Sequence, residues 1–567
     1  MDASSTDPVT LALTGMLPAI IIGGALLAAP ASLVLLGRYR RAVLEGMAGR
    51  GEGALPPATQ ELSDVPPRRP LAIASFDAHS GSPGRLPADL RRALNGGWRA
   101  GCVYAAAGAA FAAVMTCAWL VATRDPYVGP VKIAWLFWCN VWPAVIAINL
   151  SAAWNRRLQW NVIGAYAVLL VVIGAIAVVR STETTALQLA GFWIISNGPP
   201  SVLLYAFLAR RIRAVGPMVL AFAIFALLGS QLALSFIGAS DARMREAVQV
   251  GSILGMGGNA IFWLTFALGL GLFAGAGFVW LKWLGRRYAA KRFSDESLTI
   301  DSVFLLFAIT QSFGLVFEHW TWIVAGPVGF VAYFAVRAIG FRRLDFGSVP
   351  RSLLLLRVFA LGTRSERLFD ALRKRWLRAG SVALIAGPDL VTSTVEPDEF
   401  LGFLSGDLGR QFVTDDGDLD RRMRTMDRAR DPDGRFRISE FFCYADTWQA
   451  TMRRLVTETD GVLMDLRSFS PTNQGCLYEV GTLLETLALD RVVFVVDPTT
   501  DRPFLEANLM ALWKARGALS PSRALEAPTA RLFATGAHPE RDIDALLEMV
   551  YGAESLPAGP AMRTLPR

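Results

Sequence analysis

Glu479 is the residue of this sequence best placed to do chemistry. It follows a strand-like apolar run, 461–466, and a polar loop in which Asn473 and Gly475 stand where a helix is expected to begin. At about 100° per residue, the apolar residues that follow form one stripe, with Glu479 at its edge and Glu485 opposite it. We therefore expect Glu479 to flank a cleft and Glu485 to be solvated.

A purely structural explanation of Glu479 stays open. An acidic side chain in the first turns of a helix is stabilised as the anion by the helix dipole, and this alone would account for it. The functional interpretation depends on a parallel sheet, in which ligands bind at the carboxyl ends of the strands. The other residues expected near such a ligand follow strand-like runs or begin the next helix: Gly362, Thr363, Arg364, Asp389, Asp446, Asp465, Arg467, Asn473 and Gly475.

The elements that would position these residues lie in the C-terminal part of the chain, 350–555. Short apolar runs alternate there with amphipathic helical segments, which is typical of βαβ units and a parallel sheet. The charged stretch 413–435 is predicted to be an exposed loop, and 556–567 a tail. The predicted strands are 353–361, 381–386, 438–443, 461–466 and 491–497.

Residues 1–345 are predicted to form an α-helical, multi-pass membrane region. The whole chain is 53% hydrophobic and only 18% charged, below the roughly 25% charged residues of a soluble protein. Apolar stretches of about 20 residues are long enough to cross a bilayer. Nine such spans are predicted: 11–36, 100–122, 131–152, 161–179, 188–208, 216–237, 259–284, 301–317 and 321–340.

The distribution of Lys and Arg predicts the orientation of these spans. The loops 37–99, 153–160, 209–215 and 282–300 hold twenty of them, whereas the alternate loops hold five. Since positively charged loops stay in the cytoplasm, we predict an N-terminus outside the cell membrane and a cytoplasmic C-terminal domain. The same pattern explains much of the positive net charge, so nucleic acid is not an expected partner.

Several kinds of site are absent from the sequence. The five cysteines contain no CxxC pair and only three histidines are present, which argues against a zinc site or a disulfide framework. No Walker A sequence occurs, and no cofactor is predicted. The predicted spans are almost free of mid-span charge, which argues against a proton or ion path. Gly271 and Gly275 form a GxxxG motif and predict close helix packing.

The segment 465–485, DLRSFSPTNQGCLYEVGTLLE, followed by RVVFVVD, resembles the TIR-like and nucleoside deoxyribosyltransferase-like group of domains. The spacing of Gly475, Glu479 and Gly481 is similar to the deoxyribosyltransferase pattern. Cys476, three residues before Glu479, is similar to the Cys-x-x-Glu of TIR NAD⁺ hydrolases. The run RVFALGTRSER, 357–367, is similar to the opening TIR strand and its adjoining loop. Gly475 stands where TIR domains often have Trp.

The resemblance implies a flavodoxin-like fold and cleavage or transfer at an N-glycosidic bond, with Glu479 as the catalytic residue. We therefore expect a membrane-anchored cytosolic domain that processes a nucleotide or nucleoside, NAD⁺ among the candidates, in signalling or defence. Two alternatives stay open: a non-catalytic ligand-binding or signalling domain, and a transporter with a regulatory soluble domain. The expected partners are the lipid bilayer, the nucleotide or nucleoside, and a second copy of the chain.

Overall fold

The computed structural model describes most of the chain. The described residues are 8–48, 69–77, 87–124, 128–181, 184–207, 215–238, 240–346, 350–358, 363–387, 397–404, 406, 408–536 and 539–551. The chain divides into two compact units. The helical unit comprises 1–39, 97–345 and 395–404, and the sheet unit comprises 40–96, 346–394 and 405–567.

Most of the described residues before 346 lie in helices, many of them long and apolar. In chain order they are α1 (Pro8–Ala48), α2 (Ala88–Thr123), α3 (Pro130–Asn140), α4 (Trp142–Ser151), α5 (Arg156–Arg180), α6 (Ala186–Phe207), α7 (Gly216–Gly238), α8 (Asp241–Ile253), α9 (Gly258–Ala289), α10 (Asp295–Val316) and α11 (Ala325–Arg342).

Eight helical segments of the described chain are long and apolar enough to cross a membrane: Ala19–Ala48, Ala88–Thr123, Pro130–Ser151, Arg156–Arg180, Met218–Gly238, Gly258–Ala289, Asp295–Val316 and Trp320–Arg342. Each overlaps a predicted span. The ninth prediction, 188–208, coincides with α6, which is a helix but is not among the eight. The polar and proline residues at 196–200 lower its apolar content.

Contacts along their length show how the helices run. Tyr104 of α2 lies 2.9 Å from Ser297 of α10 between hydroxyl oxygens, and Trp119 of α2 lies beside Gly314 of α10. Residue numbers increase together along this contact, so α2 and α10 run in the same direction.

Helix α6 packs lengthwise within the helical unit. The Asn197 side-chain amide donates to the Cys139 carbonyl at 3.3 Å, and the Trp142 indole donates to the Ser201 hydroxyl at 2.8 Å. Helix α6 therefore runs in the same direction as the α3–α4 pair. Helix α6 therefore packs among the apolar helices although its own apolar content is lower.

The glycines that bring α9 close to α7 are not those predicted. A Cβ added at Gly271 or Gly275 would meet nothing within 4 Å. A Cβ at Gly269 would lie 2.5 Å from the Gly229 carbonyl oxygen of α7, and one at Gly277 would contact the phenylalanines of α7. The prediction that the GxxxG motif mediates close packing inside the protein is therefore wrong, because the motif lies on the exposed face of α9.

Two charged residues pair near the ends of predicted spans, which leaves the prediction of few mid-span charges unchanged. Asp301 of α10 and Arg337 of α11 form an ion pair at 2.5 Å, and the Tyr333 hydroxyl donates to Asp301 at 2.8 Å. Arg337 is buried. A pair that satisfies both charges makes burial in an apolar bundle tolerable.

An eight-stranded sheet forms the centre of the other unit, and every neighbouring pair of strands is parallel. The predicted parallel α/β architecture is therefore present. The strands, in chain order, are β1 (Ala72–Asp77), β2 (Arg351–Arg357), β3 (Gly380–Ile385), β4 (Phe412–Val413), β5 (Ile438–Cys443), β6 (Gly461–Asp465), β7 (Val492–Val496) and β8 (Thr529–Ala534).

Strand β1 is an addition that the sequence patterns did not predict. It lies between α1 and α2 in the chain and pairs with β8 at one edge of the sheet. The carbonyl of Arg69, just before it, accepts a hydrogen bond from the Trp513 indole at 3.0 Å, and Leu71 is part of the hydrophobic core. The sheet unit therefore extends beyond the predicted 350–555 region.

The strand order is β1-β8-β7-β6-β2-β3-β5-β4. Leaving aside the edge strands β1 and β4, the other six follow the 3-2-1-4-5-6 order of doubly wound dinucleotide-binding sheets. The flavodoxin-like order is 2-1-3-4-5. Strands β3-β2-β6-β7-β8 follow this second order and β5 is an additional strand beyond β3, so the predicted flavodoxin-like arrangement is not confirmed.

The helices of the sheet unit are α12 (Thr363–Trp376), α14 (Asp416–Thr425), α15 (Trp448–Glu458), α16 (Gln474–Thr486), α17 (Arg502–Arg516) and α18 (Pro539–Tyr551), whereas α13 (Pro397–Leu404) belongs to the helical unit. The stretch predicted as an exposed loop contains α14 instead. Asp415 caps that helix, and Asp431 forms a buried pair with Arg437 at 2.8 Å. The many charged residues of the stretch 413–435 therefore did not mean that the whole stretch is exposed to solvent.

Candidate functional site

The strand order reverses between β2 and β6, which are neighbours in the middle of the sheet. From β2 the chain proceeds outward through β3 to β5, and it then returns to β6 and proceeds outward on the other side. Ligands of doubly wound sheets bind in the crevice at such a switch point, outside the carboxyl ends of the strands. Arg357 and Asp465, the last residues of β2 and β6, are partners in the strand register there.

Glu479 lies in the second turn of α16, the helix that follows β6. The start of this helix approaches the end of β2, since the Cys476 sulfur lies 4.0 Å from the Arg357 carbonyl oxygen. The Glu479 side chain is only 4% exposed. Its Oε2 atom is fully buried and has no hydrogen-bond partner in the part of the chain that the structure describes. The carboxyl group is thus shielded from solvent and incompletely satisfied.

Burial raises the pKa of Glu479 to about 8, although the positive charge of Arg357 acts to lower it. Removing a carboxylate from water disfavours its charged form. The group therefore holds its proton near neutral pH. Perturbed acids of this kind are more frequent at functional sites than elsewhere.

Cys476 occupies the same helical face, three residues before Glu479. Burial, together with the negative charges of Glu479 and Asp465, raises the pKa of its thiol. A thiol acts as a nucleophile only as the thiolate. Cys476 therefore serves the packing of α16 against the sheet in this structure, not nucleophilic chemistry.

Glu485 differs from Glu479 although both are on α16. It is half-buried and pairs with Arg516 of α17 at 3.6 Å. The prediction that it faces away from the apolar stripe agrees with this position at the border with α17. Because it makes an ordinary ion pair away from the switch point, it offers a matched comparison for Glu479.

Asp465 and Arg467 form a buried, two-pronged ion pair. The Arg467 guanidinium donates from Nε to Oδ1 at 2.7 Å and from Nη2 to Oδ2 at 2.6 Å. Burial acts to lower the pKa of Arg467, but its hydrogen bonds and charge attraction to Asp465 outweigh that effect, and the pKa is raised. Arg467 also donates to the Arg364 carbonyl at 3.1 Å. This pair therefore fixes the loop after β6.

Arg364, in the first turn of α12, joins the loops after β6 and β7. Its guanidinium pairs with Asp497 and donates to the hydroxyls of Ser468 and Thr499, at 3.3 Å each. These two hydroxyls lie 2.8 Å apart. Ser468 has a left-handed backbone with φ of 57°, which is unusual for a residue with a side chain and recurs at functional sites. Arg364 is partly exposed.

The remaining predicted site residues fall into three groups. Asn473 shapes the loop before α16, because its Oδ1 accepts hydrogen bonds from the Ser470 backbone and hydroxyl groups, and Gly475 follows it in the first turn. Thr363 begins α12. Asp446 is exposed after β5, which β3 separates from β2. Gly362 and Asp389 lie outside the described residues.

Four residues of this region were missed from the sequence: Arg357, Ser468, Asp497 and Thr499. Arg357 interrupts an otherwise apolar strand, and that interruption was the available signal. Asp497 directly follows β7, so the strand-end rule that selected Asp465 would also have selected it. Ser468 and Thr499 carry no sequence signal, since only the fold brings their loops together.

The described residues contain no group of three or more His, Cys, Asp or Glu side chains arranged to hold a metal ion. No protein-family model matches this sequence, and neither a curated protein nor a solved structure is significantly similar to it.

Proposed function

We propose that this chain is a multi-pass membrane protein whose sheet unit processes a nucleotide or nucleoside at its N-glycosidic bond, with Glu479 as the catalytic acid. The observation that carries the proposal is the buried, incompletely satisfied carboxyl group of Glu479 beside Arg357, at the switch point of a parallel sheet. Buried polar groups without partners are uncommon in proteins, and a bound ligand would supply the missing partner.

The chemistry follows from the protonated state of the free carboxyl group. The bond between the sugar C1′ and the base nitrogen breaks, and the base leaves with the electron pair. An acid with a pKa near 8 is able to donate its proton to a departing base. The carboxylate that remains then stabilises the positive C1′ or bonds to it, until water or a second acceptor attacks. NAD⁺ belongs to the same substrate class, although its nicotinamide leaves without needing a proton.

A non-catalytic ligand-binding domain is the second candidate, and the burial of Glu479 favours it. At 4% exposure, the carboxyl group reaches a sugar only if the surrounding loops open. Asp497 and Asp465 also hold the guanidinium groups of Arg364 and Arg467. A site of this kind binds and reports a ligand without turning it over.

The sheet itself supports a membrane topology with nine crossings. Strand β1 precedes α2 and pairs with β8, which follows α11. Both strands must be on one side of the membrane, so the chain between them crosses an even number of times. Seven of the eight apolar segments lie between β1 and β8, and α6 supplies the eighth crossing. The parallel run of α2 and α10 requires the same count.

The charge distribution supports a cytoplasmic location for the sheet unit. The loops 37–99, 153–160, 209–215 and 282–300 hold twenty Lys and Arg, against five in the alternate loops. Because positive loops are retained in the cytoplasm, the N-terminus would be outside. The exposed apolar side chains of the helices, such as Val179 and Val171, would contact lipid.

The test uses the purified full-length chain in detergent, because a fragment that begins after α11 would lack β1. Release of free base from NAD⁺ and from nucleosides is measured by chromatography for the wild type, Glu479→Gln and Glu485→Gln. We expect the first substitution to reduce turnover at least 100-fold, for nucleosides by loss of the acid and for NAD⁺ by loss of the carboxylate that stabilises C1′, and the second to leave it unchanged. Equal turnover by wild type and Glu479→Gln would exclude the catalytic role. Binding without turnover by the wild type would favour the second candidate.

A further inference from the structure

Two carboxamide side chains are buried inside the helical unit without their full set of hydrogen bonds. Gln311 of α10 is 4% exposed, and neither its Oε1 nor its Nε2 has a partner in the described chain. Asn197 of α6 is fully buried; its Nδ2 donates to the Cys139 carbonyl, but its Oδ1 has no partner there. Leaving such groups unsatisfied costs about 1–3 kcal/mol each.

The two carboxamides lie at one level of the bundle. The contacts of Tyr104 with Ser297 and of Trp119 with Gly314 place Gln311 level with the stretch of α2 just before Trp119. Thr116, in that stretch, accepts a hydrogen bond from the Asn140 amide at 3.3 Å.

The same level reaches α6 through the end of α3. Cys139, the neighbour of Asn140, accepts the amide of Asn197. Thr116, Asn140, Asn197 and Gln311 therefore form a polar layer that crosses α2, α3, α6 and α10.

Prolines lie beside this polar layer in two places. Helix α3 ends at Asn140 and α4 begins two residues later, with Pro143 in its first turn and a helical backbone between them. Helix α6 runs unbroken through Pro199 and Pro200, just after Asn197. A proline inside a helix has no N–H to donate to the carbonyl four residues earlier.

We propose that the polar layer is an internal binding site for water or a water-sized hydroxylic solute. The unmatched atoms include both acceptors, Asn197 Oδ1 and Gln311 Oε1, and a donor, Gln311 Nε2. A molecule that both donates and accepts satisfies all three, as buried waters do elsewhere.

A bare cation would satisfy only the acceptors of the layer. The nearest described ion pair on α10 includes Asp301, ten residues before Gln311 and about 15 Å away along the helix. The layer is thus built from neutral groups. The proposal is independent of the sheet unit and gives the helical unit a role beyond anchoring.

Synchrotron hydroxyl-radical footprinting of the full-length protein tests the presence of water directly, because radicals form from water beside the residue that they oxidise. Cys139 serves as the reporter because its backbone carbonyl accepts the Asn197 amide, and its side chain is 1% exposed. Cys443 and Cys476, each 5% exposed in the sheet core, are matched controls. We expect Cys139 to be oxidised at least five times faster than either control. Oxidation at the rate of the controls would show a dry layer and overturn the proposal.

A second measurement separates a hydrated layer from an empty one. Gln311→Met replaces the carboxamide by an apolar chain of similar length, and Leu315→Met, on the same face of α10, is the control. A bound water loses its partners in Gln311→Met, so the thermal midpoint should fall by several degrees relative to the control. If the layer is dry, the same substitution removes an unsatisfied group, and a rise in the midpoint would contradict the proposal.

Discussion

Valine and other apolar side chains differ in exposure between the two units. All five residues of β7, Val492–Val496, are buried, whereas in α5 Val171 is 70% exposed and Val179 is 86% exposed. The side chains are chemically the same, so their surroundings must differ. A sheet core excludes water from apolar groups, and lipid does this for the outer face of a membrane helix. The two units therefore differ in the exposure of their apolar side chains, and under the proposed membrane topology lipid would cover those of the helical unit.

The polar groups show the reverse contrast. At the carboxyl edge of the sheet, Asp465 and Arg467 are ionised and paired, and Glu479 is the incompletely satisfied exception. In the helical unit, the carboxamides of Asn197 and Gln311 are among the buried groups without a full set of partners in the described chain, and Asp301 pairs with Arg337.

The largest effect is expected from breaking the paired charges of the sheet unit. Asp465→Ala leaves the buried Arg467 guanidinium without its carboxylate, and it should lower the free energy of unfolding by about 3–5 kcal/mol. The measurement is a urea titration of the full-length protein. Arg502→Ala removes an exposed pair with Glu506 and should change stability by less than about 1 kcal/mol. Similar losses in both variants would contradict the importance of burial.

A smaller, pH-dependent effect is expected from Glu479. Its pKa is about 8 in the folded protein and about 4.3 in an unfolded chain. Between these values the unfolded state releases a proton that the folded state keeps, so stability falls as the pH rises. The slope is at most about 1.4 kcal/mol per pH unit.

Thermal melting of the full-length protein from pH 5 to pH 8 measures this effect. The wild type should lose stability relative to Glu479→Gln across the interval, because glutamine does not titrate. Glu485→Gln should follow the wild type. A constant difference between wild type and Glu479→Gln would show that the carboxyl group is already ionised at pH 5.

The smallest effect tests packing inside the helical unit. Gly269→Leu places a side chain against the backbone of α7, where a Cβ alone would lie 2.5 Å from the Gly229 oxygen. Overpacking of this kind costs about 1–3 kcal/mol, so the thermal midpoint should fall. Gly271→Leu points into open space and should melt like the wild type. A larger fall in the thermal midpoint for Gly271→Leu than for Gly269→Leu would show that the GxxxG motif contributes to packing.

Sequence periodicity predicted the interior strands well and the sheet edges poorly. Strands β2, β3, β5, β6 and β7 are mostly buried on both faces, so they appear in the sequence as continuous apolar runs. Strands β1 and β8 include exposed or partly exposed residues, and β4 has only two residues. These segments form strands because they pair with neighbouring strands, and the local sequence does not show which strands those neighbours are.

The residues of the candidate site that directly follow a strand could be predicted from the sequence, and the others could not. Inspection of the residues that follow each predicted strand identified Asp465, Arg467 and Arg364, because ligands of open parallel sheets bind at the carboxyl ends of the strands. The rule could not predict that Glu479 is buried, because its burial depends on how α16 packs over the end of β2. Likewise, the GxxxG spacing identified a small-residue face of α9 without indicating which glycines face α7.

The pairing of β1 with β8 has a consequence for how the protein is made. Arg69, beside β1, donates to the carbonyl of Glu526, which is 457 residues later in the chain. At the usual 5–20 residues per second of synthesis, roughly 20–90 s separate the two segments at the ribosome. Through that interval β1 has no neighbouring strand to pair with, so a chain terminated early would leave an unpaired strand edge.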